Sequence, residues 1–174
     1  MVESKESLVA RNVFFSFHWN NDVGRAMNVR HSSRFVSDEN LVGWYDSGVW
    51  EAAKTTDRRA IQGRSAIQRL IDQGLNNTSV VVVLIGSQTA ERYWVDYEIR
   101  KGWDDGKGVV GVRIHRIRDL DKLTSRPGPS PFDSIRLQDG RNLGQLVRVY
   151  DWVQHEGRAN LGSWVEEAAV ARGR

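Results

Sequence analysis

The chain has 174 residues, 40% hydrophobic and 27% charged, which allows one domain with a real core and is too short for two full ones. Its 25 basic and 22 acidic residues leave a net charge of +3 with no basic run, so the usual nucleic-acid footprint is missing. The lack of cysteine rules out disulfides and thiolate metal sites and fits a reducing compartment.

Residues 1–11 form a polar lead-in without the apolar core of a signal peptide, and no stretch reaches the apolar length of a bilayer span. The expectation is a cytoplasmic protein with no membrane partner, one domain over 12–174. Val13-Phe14-Phe15-Ser16-Phe17 is short, apolar and β-prone, and reads as a first buried strand. Asp22 is a natural N-cap for a helix over about 23–34. Leu41 to Asp46 suggests a second strand, followed by a loop or short helix at Val49 to Lys54. Ser65 to Gln73 has helical apolar spacing, with Gly74 as its C-cap.

The run from Ser79 to Ile85 is β-branched without alternation, the mark of a parallel strand covered on both faces. A helix from about Thr89 to Asp104 follows, then a strand over Val109 to Ile114. Arg126 to Pro131 holds all three prolines and reads as a loop. Leu146 to Tyr150 suggests a last strand or edge segment, and Ser163 to Ala171 a closing helix. This alternation implies a doubly wound, mostly parallel α/β sheet with helices on both faces. Ligands of such sheets sit beyond the carboxyl ends of the strands, here Ser16–Asp22, Asp46–Lys54 and Gly86–Glu98.

Those segments lack the common α/β motifs. There is no P-loop, no glycine fingerprint after the first strand and no nucleophile elbow. The ends of the first strand are not acidic, as a phosphoacceptor domain would need. Histidines 18, 31, 115 and 155 have no ligand spacing, so no metal is expected. What remains is the helix after the valine-rich strand. Trp94 and Glu98, four residues apart, share a face, and Val95, Ile99, Gly102 and Trp103 form the neighbouring apolar stripe. Glu98 therefore flanks the core face. It is either a partly desolvated carboxylate beside an indole or a surface glutamate paired with Lys101. Asp96 faces Arg100 as an exposed i,i+4 pair. His18 is a loop residue or a substrate contact, Trp50 a core residue or an aromatic platform, and Trp19 is exposed by its loop neighbours. Gly86-Ser87-Gln88-Thr89 either caps a helix or offers backbone N–H groups to a phosphate.

Phe14-Phe15-Ser16-Phe17, the Val80–Ile85 strand and Trp94-x-x-x-Glu98 together resemble a Toll/interleukin-1 receptor (TIR) domain. More narrowly, Val49–Lys54, Gly74–Ser79, Leu84–Thr89, Tyr93–Ile99, Pro129–Asp133 and Val149–Val153 resemble the TIR-like ThsB proteins of bacterial Thoeris antiphage defence. The likeness covers roughly residues 12–155. It implies a flavodoxin-like TIR fold and cleavage of the nicotinamide–ribose bond of NAD+, which is substrate rather than cofactor, with Glu98 catalytic. The pocket it implies gathers Ser16, Phe17, His18 and Trp19, then Asp46 and Trp50, then Ser87 and Trp94. It further implies a cyclic or otherwise modified ADP-ribose that diffuses to a separate effector protein, a phage-derived trigger and self-assembly. Two features depart from the pattern: the segment after the second expected strand, and a non-standard C-terminal extension from about residue 116.

Elementary chemistry is compatible with a lone carboxylate. Glycosidases pair two carboxyl groups because the departing alkoxide needs a proton, whereas nicotinamide leaves as a neutral molecule. Two other readings stay open: a non-enzymatic TIR assembly or adaptor module, and a nucleoside N-glycosyl transferase on a similar sheet.

Overall fold

The structure, a computed structural model, describes residues 11–32 and 60–174. The expected segments 41–46 and 49–54, with Asp46 and Trp50, lie outside the described residues. Within them the order is β1 (Val13–Ser16), α1 (Trp19–Ser32), α2 (Ala60–Asn76), β2 (Val80–Ile85), α3 (Tyr93–Asp104), β3 (Gly108–Arg113), β4 (Val149–Asp151) and α4 (Gly157–Val170). The four strands form one parallel sheet in the order β1-β2-β3-β4. This is the α/β, flavodoxin-like arrangement expected of the sequence.

β2 explains the packing. All six of its residues are buried, and they divide by parity, because successive side chains of a strand point to opposite faces. Val80, Val82 and Leu84 join a core with Phe15 and Phe17, with Ala26 and Val29 of α1, and with Leu161, Trp164 and Val165 of α4. Val81, Val83 and Ile85 join a second core with Phe14, with Ile71 and Leu75 of α2, and with Trp94, Val95 and Ile99 of α3. A strand covered on both sides has no polar face, hence its unbroken apolar run.

Several boundaries differ from expectation, each for a local reason. Helix α1 starts at Trp19, because the first helical hydrogen bond runs from the Asp22 N–H to the His18 carbonyl, at 2.9 Å. Asp22 is thus inside the first turn and buried, not a solvent-facing cap. Trp19 is correspondingly half-buried and packs on the core beside Phe17, rather than standing exposed in a loop. Helix α2 runs through the buried Gly74 to Asn76. The expected helix from Thr89 is two pieces, a 3-10 turn at Thr89–Glu91 and then α3, separated by the extended backbone of Arg92. β4 begins only at Val149, since a 3-10 turn at Leu143–Gln145 precedes it and Val147 is buried in the core. Helix α4 starts six residues ahead of Ser163, at Gly157, behind Glu156 in the left-handed region at φ 51°.

Candidate functional site

The strand ends form a step. Ser16 ends β1 level with Val83, while β2 runs on to Ile85, level with Arg113 of β3, itself level with Asp151 of β4. Phe14 belongs to the core on the α2 and α3 side, so Ser16, two residues on, points to that same side. There it meets α3. The Ser16 hydroxyl donates a hydrogen bond to the Glu98 carboxylate, and both residues have no solvent exposure. Burying a carboxylate is costly unless donors compensate it; a hydroxyl reaching it across 82 residues of sequence is such a donor.

Helix α3 separates its charges clearly. Lys101, the alternative partner for Glu98, instead holds Asp105 through contacts of 2.6 and 2.7 Å. Asp96 pairs with Arg100 at 2.7 Å, with both side chains more than two-fifths exposed, as the spacing predicts. Glu98 is therefore enclosed rather than merely on the flank of the apolar stripe.

The aromatic candidates are less uniform. Trp94 is 3% exposed and sits within the core, edge-on to Tyr93 and Tyr97 at 4.9 and 5.8 Å. Four residues ahead of Glu98 on the same helix face, it is part of the core rather than an open platform. Phe17 and His18 are buried, at 1% and 2% exposure, directly after Ser16. Ser87 is half-buried in the loop after β2. In that loop the Gly86 N–H donates to the Thr89 hydroxyl at 2.8 Å, so this amide is used for the turn and not offered to a phosphate.

One residue of this rim was not singled out as a functional candidate. Asp22 is fully buried, and its carboxylate lies where a side chain on Gly86 would begin, so the loop after β2 closes on it only because residue 86 is glycine. Burial pushes its pKa up from 3.8 to about 6, against the pull of the Arg25 guanidinium 3.5 Å away. Arg25 is itself shared with the Ile117 and Leu123 carbonyls and with Asp119. A buried carboxylate could have been suspected from Asp22 standing among the polar residues after β1, but cap chemistry explains the same letter.

A cavity of about 640 Å³ lies away from this rim. Trp103, Val109, Tyr150, Trp164 and Arg172 line it. Its carboxylate, Glu167, is tied to Arg148 and the Tyr150 hydroxyl at 3.1 and 3.0 Å. Among the described residues no group of His, Asp or Glu is arranged to hold a metal ion, and no helix is long and apolar enough to cross a membrane.

Comparison with known proteins bears on this geometry. The family model described as Thoeris protein ThsB, TIR-like domain, matches residues 14–119, from β1 through the strand and helix that carry Glu98 and on past β3. The chain is also similar to a Bacillus cereus (strain MSX-D12) protein named "Putative cyclic ADP-D-ribose synthase ThsB1". The two are 32% identical over 197 residues, covering 90% of this chain and 100% of the relative.

Proposed function

Because this chain belongs to the Thoeris ThsB family of TIR-like proteins, we propose that it cleaves the nicotinamide–ribose bond of NAD+ and closes the remaining ADP-ribose into a cyclic signal. The observation that carries this reading is the buried Ser16–Glu98 pair at the carboxyl ends of the strands. The relative's name describes synthesis of cyclic ADP-D-ribose, a product whose making begins from such a bond.

On this reading the C1–N bond of the nicotinamide riboside breaks and its electron pair leaves with neutral nicotinamide. The ribose is left as an oxocarbenium ion. The Glu98 carboxylate stabilises that developing charge, and the Ser16 hydroxyl fixes the carboxylate's orientation. Phe17, His18, Trp19, Ser87 and Trp94, together with Asp46 and Trp50, complete the proposed substrate site. A hydroxyl or base nitrogen of the same molecule then attacks C1, and an attacking hydroxyl gives up its proton to Glu98 or solvent. Water exclusion favours this internal attack over hydrolysis, since a well-placed internal group acts at an effective molarity of about 10⁵ M or more.

Residues 12–174 act as one unit on this reading. The part beyond 116 supplies β4 to the same sheet and α4 to one of its cores. The product diffuses to a separate effector in the cytoplasm, in response to a phage-derived trigger and through self-assembly. The deciding experiment is mass spectrometry of NAD+ incubated with purified protein, with and without infected-cell extract. Nicotinamide release with a cyclic ADP-ribose is expected. Cleavage of other nucleosides with NAD+ left intact would favour an N-glycosyl transferase, and no cleavage under any condition an adaptor.

A further inference from the structure

A second cavity, about 550 Å³, opens beyond the carboxyl ends of β3 and β4. It lies on the same edge of the sheet as Ser16, but two strands away, which is about 10 Å at the usual strand spacing. Arg113, the last residue of β3, lines it with His115, Arg116, Asp151 and His155. Arg113 is half-buried and donates to the Gly128 carbonyl at 2.8 Å. No carboxylate among the described residues is within ion-pair distance of it.

Asp151, the only carboxylate among the described residues lining this cavity, is already committed. One Asp151 oxygen accepts the Val153 and Gln154 N–H groups at 3.0 and 2.9 Å, and the other accepts Arg116 Nε at 3.1 Å. His115, 7% exposed, is 3.9 Å from that second oxygen and has a buried Nδ1 with no hydrogen-bond partner. His155 accepts the Asp151 N–H on Nδ1, which leaves Nε2 as its donor. The cavity thus holds two guanidiniums against one spent carboxylate, with spare N–H groups in the fork geometry that suits phosphate. Its wall is the Pro127-Gly128-Pro129 strap, stiffened by two prolines. Gly128 lies so close to the Gly86 and Ser87 carbonyls that a Cβ would collide with them.

We propose that this cavity binds the diphosphate of a nucleotide, held by Arg113 and Arg116 and bordered by the strap that rests on the Gly86–Ser87 loop. Two sources share this chemistry. One is the diphosphate of NAD+ itself, in which case the inference rests on the NAD+ reading above. The other is a separate nucleotide whose binding reaches the catalytic rim through Gly128 and Gly86.

The test is calorimetric titration of ADP into the full chain carrying Glu98→Gln, which needs no turnover and so stands or falls apart from the catalytic assignment. ADP is expected to bind, adenosine at least 10-fold more weakly, and Arg113→Gln/Arg116→Gln to lower ADP affinity at least 10-fold with unchanged melting. Where Arg113→Gln unsettles the strap, Arg116→Gln alone, at a half-exposed side chain, still reduces the affinity. Undetectable ADP binding, ADP and adenosine binding alike, or ADP affinity unchanged in the folded double variant overturns the proposal. The sources separate kinetically in the Glu98 form. If the site takes the substrate's diphosphate, Arg116→Gln raises KM for NAD+ with kcat kept and leaves turnover of nicotinamide riboside unchanged. If it takes a separate nucleotide, added ADP changes kcat and Arg116→Gln removes that response.

Discussion

The carboxylate of Asp22 fills the space in which a side chain on Gly86 would begin. Helix α1 is thereby pressed against the loop that leaves β2, and this loop leads into the helix carrying Glu98. The contact places a second buried acid near the carboxyl ends of the strands, one with no counterpart in the proposed chemistry.

Its protonation is readable in stability. Asp22 has a folded pKa of about 6 against an ordinary 3.8, because burial penalises the charged form. The folded state therefore binds this proton more tightly than the unfolded state. Its contribution is fully present below about pH 4, declines as pH rises through 6, and is lost above; the change is at most about 3 kcal/mol. Asp22→Asn mimics the neutral form, and Arg25 keeps its other acceptors. Urea unfolding across pH 4–8 should show the variant equal to wild type near pH 4 and more stable by about 1–3 kcal/mol at pH 7.5. A constant difference at all pH values would contradict the assignment.

Glu98→Gln should fold normally and lose NAD+ turnover by about 100-fold or more, the scale of removing a group that stabilises transition-state charge. Ser16→Ala removes one hydrogen bond to that carboxylate, and a smaller loss of about 10-fold is expected, with about 1.5–3 kcal/mol less stability. Asp96→Asn breaks only an exposed pair and should stay near wild type. Nicotinamide release by chromatography, beside thermal melts, checks all three. Full turnover in folded Glu98→Gln would remove the glutamate from the mechanism.

Complete burial of Glu98 has a kinetic corollary. On the proposed chemistry, substrate cannot reach a carboxylate with no exposed surface until the covering residues shift, and association of copies is expected to supply that shift. Turnover per molecule should be low in dilute solution and rise with protein concentration or after addition of infected-cell extract. Progress curves over a dilution series, paired with sedimentation, give the answer. Strong activity that ignores dilution and needs no extract would exclude gating by association.

The product is expected to act on another protein. Filtrates from wild type should activate a candidate effector encoded nearby, and filtrates from Glu98→Gln should not. If wild-type filtrate holds only nicotinamide and linear ADP-ribose and activates nothing, a simple hydrolase remains.

Some of this architecture was legible in the sequence because it depends on local pattern. The run Val80–Ile85 identifies a strand covered on both faces, and the spacing of Asp96 and Arg100 identifies their pair. Asp22 misled because a helix cap and a buried acid after a strand use the same residue type. The start of α4 was missed because Glu156 begins it through a left-handed backbone and makes no side-chain cap. The environment of Glu98 could be narrowed to a flank by helical periodicity, but its enclosure depends on Ser16, 82 residues distant. Arg113 carried no signal, since a guanidinium without a carboxylate is visible only when the strand ends stand side by side.

The two-sided burial of β2 leaves the sheet with an ambiguity of alignment. Sliding a strand by one residue normally exposes its apolar side chains to water, and this is what fixes register. Here both faces of β2 are apolar and both are covered, so such a slip would exchange one valine for another at little cost in buried area. Along the neighbouring β1, by contrast, Ser16 marks the alignment. Moved one place along β1, it would turn toward the opposite face, and a phenylalanine would confront the Glu98 carboxylate in its stead. The hydroxyl–carboxylate pair proposed for catalysis thus also fixes the alignment of β1.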